Sequence, residues 1–164
     1  MSNKGRKATA EMIAAADPPS GFGAILSNSA FGWENGPIFE HQGAEGRRRG
    51  FRVAERHINA GGICHGGMIM TFADILLATA VLDVASPPFV TVRMTTDFMD
   101  AARLGEWVEG RATLAGGLSD RQFGSQSEDP FGGLVAVAGE MTANGRIIAS
   151  ASGLFKLLAR RNKT

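Results

Sequence analysis

Cysteine is almost absent from this chain, because Cys64 is the one cysteine among its 164 residues. A single cysteine excludes an intrachain disulfide and favours a reducing compartment, the cytoplasm. Net charge is also scarce, at +1 near neutral pH, so no general attraction to nucleic acid or to a membrane surface is expected. The length and the 44% hydrophobic content instead predict one cytoplasmic globular domain with a sizeable core.

Long apolar runs and familiar nucleotide or hydrolase motifs are missing too. Residues 1–20 contain no apolar segment of the kind found in signal peptides, so no signal peptide is expected. The longest apolar run, from Met68 to Leu82, is short for a membrane span and is interrupted by Asp74. No G-x-S-x-G elbow, P-loop or strand-linked G-x-G-x-x-G occurs, which leaves Ser-His-Asp hydrolysis without support.

Two further chemistries receive little support from the sequence. His57, His65 and Asp74 do not have a recognised zinc spacing, so neither a metal nor a cofactor is expected. Cys64 precedes His65, but adjacent residues seldom present both side chains to one point. A small buried cysteine is the commoner case, so we do not expect a catalytic thiol.

Periodicity and turn residues predict an α+β chain. The predicted elements are a short helix over 9–16, strands over 38–42 and 47–55, a long helix from about Gly66, and strands over 89–98, 106–115, 134–142 and 146–158. Asn144-Gly145 predicts a tight hairpin between the last two strands. Alternation over 89–98 predicts a half-buried strand, with Val90, Val92 and Met94 on one face.

The chain is divided into three regions on the same grounds. We expect an N-terminal arm with a short helix over 1–30, a main domain over 31–158 and a basic, frayed tail over 159–164. The Gly- and Ser-rich stretch 116–133 is predicted to be a long, mobile loop. The arginine run 47–49 is interpreted as a solvated strand end rather than a phosphate site.

The stretch from His57 to Val84 is the centre of the functional hypothesis. Its first part is polar and glycine-rich, and its second is an apolar helix that contains Asp74. An ionised carboxylate in an apolar helix is costly unless it is paired or hydrated, which makes Asp74 a candidate site residue. Gly66 and Gly67 lie at the helix start, where free N–H groups could bind a carbonyl oxygen as it becomes an oxyanion. Such an apolar helix also needs more cover than one small sheet supplies, which indicates a two-fold dimer.

The spacing H-x-N-x-x-G-x-x-H-G-G-x₆-D, which begins at His57 and ends at Asp74, resembles the signature of hotdog-fold acyl-CoA thioesterases. It is most similar to the PaaI-type (phenylacetic acid degradation) subgroup, and the resemblance extends roughly from Phe31 to Leu158. It implies a long central helix wrapped by an antiparallel sheet, assembled as a homodimer or as a homotetramer built from two dimers. It also implies an acyl-CoA substrate, in which coenzyme A is part of the substrate rather than a cofactor.

The same resemblance implies a role for each matched residue. Asp74 matches the catalytic carboxylate, which acts as general base or nucleophile, and Gly66 matches the oxyanion-hole glycine. Asn59 and His65 match the polar residues that orient substrate or water, and Thr91 matches a Ser or Thr near the acid. The long 116–133 loop and the arm before residue 30 depart from the family pattern.

Two alternatives remain open at this point. The first is a hotdog hydratase or dehydratase that acts on an acyl thioester, and the second is a non-catalytic acyl-CoA-binding module. The coenzyme A phosphates could meet several basic groups. These are Arg47–Arg49, Arg103, Arg121 and the basic residues of the 156–163 segment.

Overall fold

A computed structural model describes residues 5–85, 88–115 and 133–158 of the chain. Its elements are α1 (Ala10–Ala16), β1 (Gly23–Ala24), α2 (Ala30–Glu34), β2 (Phe39–Gly43), β3 (Gly46–Arg52), a 3₁₀ turn (Glu55–His57), α3 (Gly66–Val84), β4 (Phe89–Phe98), β5 (Trp107–Leu114), β6 (Leu134–Ala143) and β7 (Arg146–Leu157). All strand pairs are antiparallel, in the order β1-β2-β3-β5-β6-β7-β4. The predicted α+β layout, one long helix against an antiparallel sheet, is confirmed.

The core lies between α3 and one face of the sheet. Phe72, Leu76 and Leu77 of α3 are at most 1% exposed, and they belong to one cluster with buried side chains from β3 and β5–β7. Gly110 lets α3 approach closely, because an added Cβ there would lie 2.6 Å from Leu76 Cδ2. By length and composition α3 could cross a membrane, but half of it is buried in this core, so it is the core helix of the domain.

The part of the N-terminal arm from α1 to β1 packs on the opposite face of the sheet. Ala16, Phe39 and Trp107 form a second buried cluster, and the Phe22 ring meets the Trp107 ring edge-on at 5.1 Å. Arg52 Nε donates to the Ala16 carbonyl at 2.7 Å, which satisfies an orphan acceptor at the end of α1. The arm therefore strengthens the domain by burying aromatic surface.

Most predicted elements are confirmed, including the short helix, the long helix and the last four strands. Asn144 and Gly145 have φ values of 48° and 80°, as a tight hairpin between β6 and β7 requires. β3 ends at Arg52 instead of residue 55, because the chain turns into the 3₁₀ segment. β1 and α2 were not predicted, and the 116–132 part of the predicted loop and the 159–164 tail lie outside the described residues.

The predicted alternation along β4 is wrong. The pairing of β4 with β7 shifts between Thr91 and Arg93, so one extra residue at Val92 interrupts the two-residue period. Val90 and Val92 are 47% and 54% exposed, since β4 is the last strand of the sheet and has a neighbour on one side only. The strand is thus more exposed than its sequence indicates.

Candidate active site

The start of α3 leaves one backbone donor unused. His65 is the N-cap residue, and its Nδ1 accepts a hydrogen bond from Gly67 N–H at 2.8 Å. The His65 carbonyl accepts from Met68 N–H at 2.8 Å. Within the described residues, no group accepts a hydrogen bond from Gly66 N–H. A free N–H at the positive end of a long helix can bind an anionic oxygen.

The loop before α3 is shaped by Asn59. Its Oδ1 accepts from Gly61 N–H at 2.8 Å and, over a longer contact of 3.4 Å, from Ile63 N–H. Its backbone N–H donates to the Ile63 carbonyl at 2.8 Å, which closes the turn. In the part of the chain that the structure describes, the Asn59 amide group has no acceptor, so its N–H donors remain available to a ligand.

His57 and Cys64 lie in the same loop but face the core. His57 is 2% exposed, and its Nδ1 accepts from Ala54 N–H at 3.1 Å. Burial, with a contribution from the Arg56 charge, lowers the pKa of His57 to about 4, although the Asn35 backbone acts in the opposite direction. Burial raises the pKa of the Cys64 thiol to about 11, so this thiol is protonated at neutral pH.

His57, His65 and Asp74 were also considered as metal ligands. Over residues 5–85, 88–115 and 133–158, no three His, Cys, Asp or Glu side chains are grouped as a metal ion would require. His57 is turned into the core, whereas Asp74 opens onto a surface cavity. The described geometry therefore gives these residues separate roles.

Asp74 is half-buried on α3 and is held by the neighbouring strand. Its Oδ1 accepts a hydrogen bond from Thr91 Oγ1 at 2.7 Å, a short bond of the charge-assisted kind. Its Oδ2 has no hydrogen-bond partner among the described residues, so this oxygen is available to a water molecule or a substrate. The expected proximity of Thr91 to the acid is thus observed, since β4 runs beside α3.

A cavity of about 380 Å³ opens at Asp74. Its other lining residues come from α2 and its N-cap, from α3, and from β4: Ser29, Phe31, Gly32, Met70, Thr71, Ile75 and Met94. Sequence reasoning missed the contribution of α2, although Ser29 is a favourable N-cap residue before it. The structure bears this N-cap out, because Ser29 Oγ accepts from Gly32 N–H at 2.8 Å.

One chain does not bring all five predicted site residues together. Asp74 and Thr91 form one group, whereas Asn59, His65 and Gly66 form another at the start of α3. Gly66 and Asp74 are separated by about 12 Å along the helix axis at 1.5 Å per residue. Among the described residues that line the Asp74 cavity, none belongs to the second group.

Comparison with known proteins places this geometry in a family. The model of the Thioesterase superfamily matches residues 61–116, the segment that contains α3, β4 and β5. A Pseudomonas aeruginosa protein named "Putative esterase PA0474" is 34% identical over 143 residues, which cover 85% of this chain and 96% of that protein. The chain belongs to the thioesterase superfamily. This membership confirms the expected reaction class, thioester hydrolysis.

Solved thioesterase-superfamily structures confirm the hotdog fold. The Escherichia coli PaaI protein from the phenylacetic acid degradation operon superimposes with a TM-score of 0.61 and 17% identity, over 80% of this chain and 86% of that one. A hypothetical thioesterase from Streptococcus pneumoniae, solved with coenzyme A, gives a TM-score of 0.55 and 16% identity, over 71% and 83% of the two chains. The resemblance to PaaI-type proteins expected from the motif is therefore present in the fold.

Proposed function

We propose that this thioesterase hydrolyses an acyl-CoA thioester to the free acid and coenzyme A, with Asp74 as the catalytic carboxylate. The observation that carries the proposal is the state of Asp74. One of its oxygens is fixed by Thr91, while the carboxylate opens onto a cavity large enough for part of a ligand. A carboxylate that is fixed and yet accessible is suited to accept a proton from water.

The reaction follows from the two groups described above. Asp74 takes a proton from water, and the hydroxide oxygen forms a bond with the thioester carbonyl carbon. Gly66 N–H stabilises the negative charge that develops on the carbonyl oxygen. The C–S bond then breaks, and the coenzyme A thiolate leaves and takes up a proton. Direct attack by Asp74 on the carbonyl carbon is the alternative route.

Asn59, His65 and Thr91 are assigned supporting roles. Thr91 orients Asp74 through the 2.7 Å hydrogen bond. His65 occupies Gly67 N–H, so the adjacent Gly66 N–H is left for the substrate. The amide of Asn59 lies on the loop that leads into this donor and is assigned to orient substrate or water beside the carbonyl.

The separation of Gly66 from Asp74 supports a site shared between two chains of a homodimer. Part of α3 is uncovered, since Met70 and Leu82 are 40% and 37% exposed. Packing two α3 helices antiparallel across a two-fold axis would cover this stripe and bring Gly66 of one chain toward Asp74 of the other. A homotetramer would then be a pair of such dimers, and the soluble assembly is assigned to the cytoplasm.

Among the candidate basic residues that the structure describes, Arg103 is the best placed for the coenzyme A phosphates. It is joined to Ile63 by a β-bridge, beside the loop that carries Asn59. In contrast, Arg47 and Arg49 are paired with Glu40. The relative from S. pneumoniae, solved with coenzyme A, supports this class of leaving group for the present chain.

The two alternative functions fit the geometry less well. A hydratase or dehydratase needs a histidine poised over the acyl chain, whereas His65 caps α3 through its Nδ1 and His57 is buried in the core. A non-catalytic acyl-CoA-binding module would have no need of a carboxylate fixed at the position of the reacting carbonyl. Thioester hydrolysis accounts for both Asp74 and Gly66.

A thiol-release assay over a panel of acyl-CoAs tests the proposal, with Asp74→Asn as the diagnostic variant. Loss of the base should lower kcat by about 10²-fold or more, while Asn preserves the shape of the side chain. Asp83→Asn is the matched control, because Asp83 lies on the same helix but pairs with Arg47 at 3.1 Å. Full activity of Asp74→Asn would remove Asp74 from the mechanism.

A further inference from the structure

A second cavity lies directly behind the cavity at Asp74. It has a volume of about 320 Å³ and is formed between the N-terminal arm, α2, the segment just before β2, and Ile75 of α3. Ser29, Gly32 and Ile75 line both cavities. These three residues therefore form the boundary between the proposed reaction centre and the space behind it, and we call them the partition.

The partition is thin at Gly32. A Cβ added to Gly32 would lie 2.9 Å from Ser29 Oγ and 3.5 Å from Ser27 Oγ. The absence of a side chain at Gly32 thus leaves open the space beside Ser27 and Ser29, which both line the second cavity. A larger residue at this position would have to project into that space or displace the N-cap of α2.

The second cavity is suited to an uncharged group. Apolar residues from the arm, from α2 and from the segment just before β2 line it, among them Ile25, Leu26, Trp33, Pro37 and Ile38. Among the described residues that line it, Arg49 is the one charged residue. Arg49 Nε donates to Glu40 Oε2 at 3.0 Å, and its Nη1 donates to the Ile75 carbonyl at 3.2 Å. Its charge is therefore compensated and is not directed at a ligand.

We propose that the acyl group of the thioester extends from Asp74 past the partition into this second cavity, and that Gly32 and Ile75 determine which acyl groups are accepted. This inference rests on the proposed function, because the proposed function places the thioester carbonyl beside Asp74. The acyl groups selected are uncharged alkyl or aryl chains, and chains with a carboxylate at the far end are disfavoured. The N-terminal arm and α2 thereby form a specificity element.

Binding of non-hydrolysable S-alkyl-CoA thioethers, measured by calorimetry, tests this inference independently of turnover. Each methylene that enters an apolar cavity should tighten binding by about fourfold. For the wild-type protein, S-octyl-CoA should bind at least about 100-fold more tightly than S-ethyl-CoA. An analogue of the same length that ends in a carboxylate should bind at least about tenfold more weakly than S-octyl-CoA.

Two variants at the partition sharpen the test. Gly32→Leu and Ile75→Phe should each reduce the octyl-to-ethyl ratio to less than about tenfold. Gly23→Leu is the matched control, because a Cβ at Gly23 on the same arm would meet nothing within 4 Å. This control should retain the wild-type ratio. Circular dichroism and thermal melting establish that each variant is folded.

The outcomes separate the two proposals. If both folded variants keep the wild-type ratio, or if the carboxylate analogue binds more tightly than S-octyl-CoA, the acyl-pocket inference is wrong, whether or not acyl-CoA is hydrolysed. If the octyl-to-ethyl binding ratio depends on Gly32 and Ile75 but no acyl-CoA releases thiol, the acyl-pocket inference is supported and the proposed hydrolysis is wrong.

Discussion

At the scale of the residue, the backbone N–H of Gly66 is the group whose role is easiest to isolate. Gly66 is the first residue of α3, a position that tolerates proline because its N–H has no helical partner. His65 before it has φ −61° and ψ 134°, the extended conformation that a residue preceding proline requires. Proline can therefore remove this one donor without breaking the helix.

Gly66→Pro is accordingly expected to fold and to lose activity. Loss of one oxyanion donor should lower kcat by about 10²- to 10³-fold, while the melting temperature changes little. Gly66→Ala is the control, since it keeps the N–H and adds a Cβ about 3.4 Å from the Phe98 ring. Equal activity of the Ala and Pro variants in the thiol-release assay would show that the carbonyl binds elsewhere.

The lowered pKa of His57 predicts an effect of pH on stability rather than on catalysis. Its folded pKa of about 4 lies below the ordinary value of 6.5, so the unfolded chain binds an extra proton between these values. Stability from neutral His57 is fully present above about pH 6.5 and is lost as the pH falls toward 4, by at most about 3 kcal/mol. Urea unfolding at pH 7 and pH 4.5 measures this loss. His57→Asn should flatten the pH dependence, and an unchanged slope would contradict the assignment.

The candidate residues differ in how well the sequence reveals them. Asp74 is evident because a carboxylate interrupts an apolar run. His57 opens the motif, yet its environment shows a buried side chain that supports Ala54, and no sequence pattern distinguishes these two uses of histidine. Phe31 and Met94 line the Asp74 cavity but come from distant segments, so only tertiary structure brings them there.

At the scale of the element, β4 differs most from its predicted form. Its length and bounds are as predicted, because alternation and Pro87-Pro88 mark the strand in the sequence. The bulge at Val92 was not predictable, since it depends on the register with β7 and not on local propensity. The result is a ten-residue edge strand with exposed apolar side chains, which is a ready surface for pairing with another strand.

Charges on this edge should therefore prevent assembly. Val90→Lys combined with Val92→Lys is expected to shift the protein from dimer to monomer in sedimentation experiments. Activity should be lost as well, because the proposed site needs both chains of the dimer. Thr113→Lys is the control, because it adds a charge at an exposed position of β5, an inner strand of the sheet. A charged variant that remains dimeric would place the interface elsewhere on the molecule.

At the scale of the whole molecule, two features support the proposal that the active site is shared between two chains. The oxyanion donor and the carboxylate lie about 12 Å apart along α3, whereas catalytic contacts are near 3 Å. The helix that carries both groups keeps an exposed stripe that includes Met70. The separation follows from the sequence once the helix is predicted, because the rise per residue of an α-helix is independent of tertiary structure.

Complementation between two inactive variants tests the shared site directly. An Asp74→Asn chain and a Gly66→Pro chain are mixed in equal amounts and allowed to exchange subunits. In each mixed dimer, one site receives both defects and the other receives an intact Asp74 and an intact Gly66. Because about half of the dimers are mixed and each has one working site, the mixture should regain about a quarter of wild-type activity. An inactive mixture with exchange demonstrated by mass spectrometry, or a stable monomer with full activity, would show that each chain builds its own site.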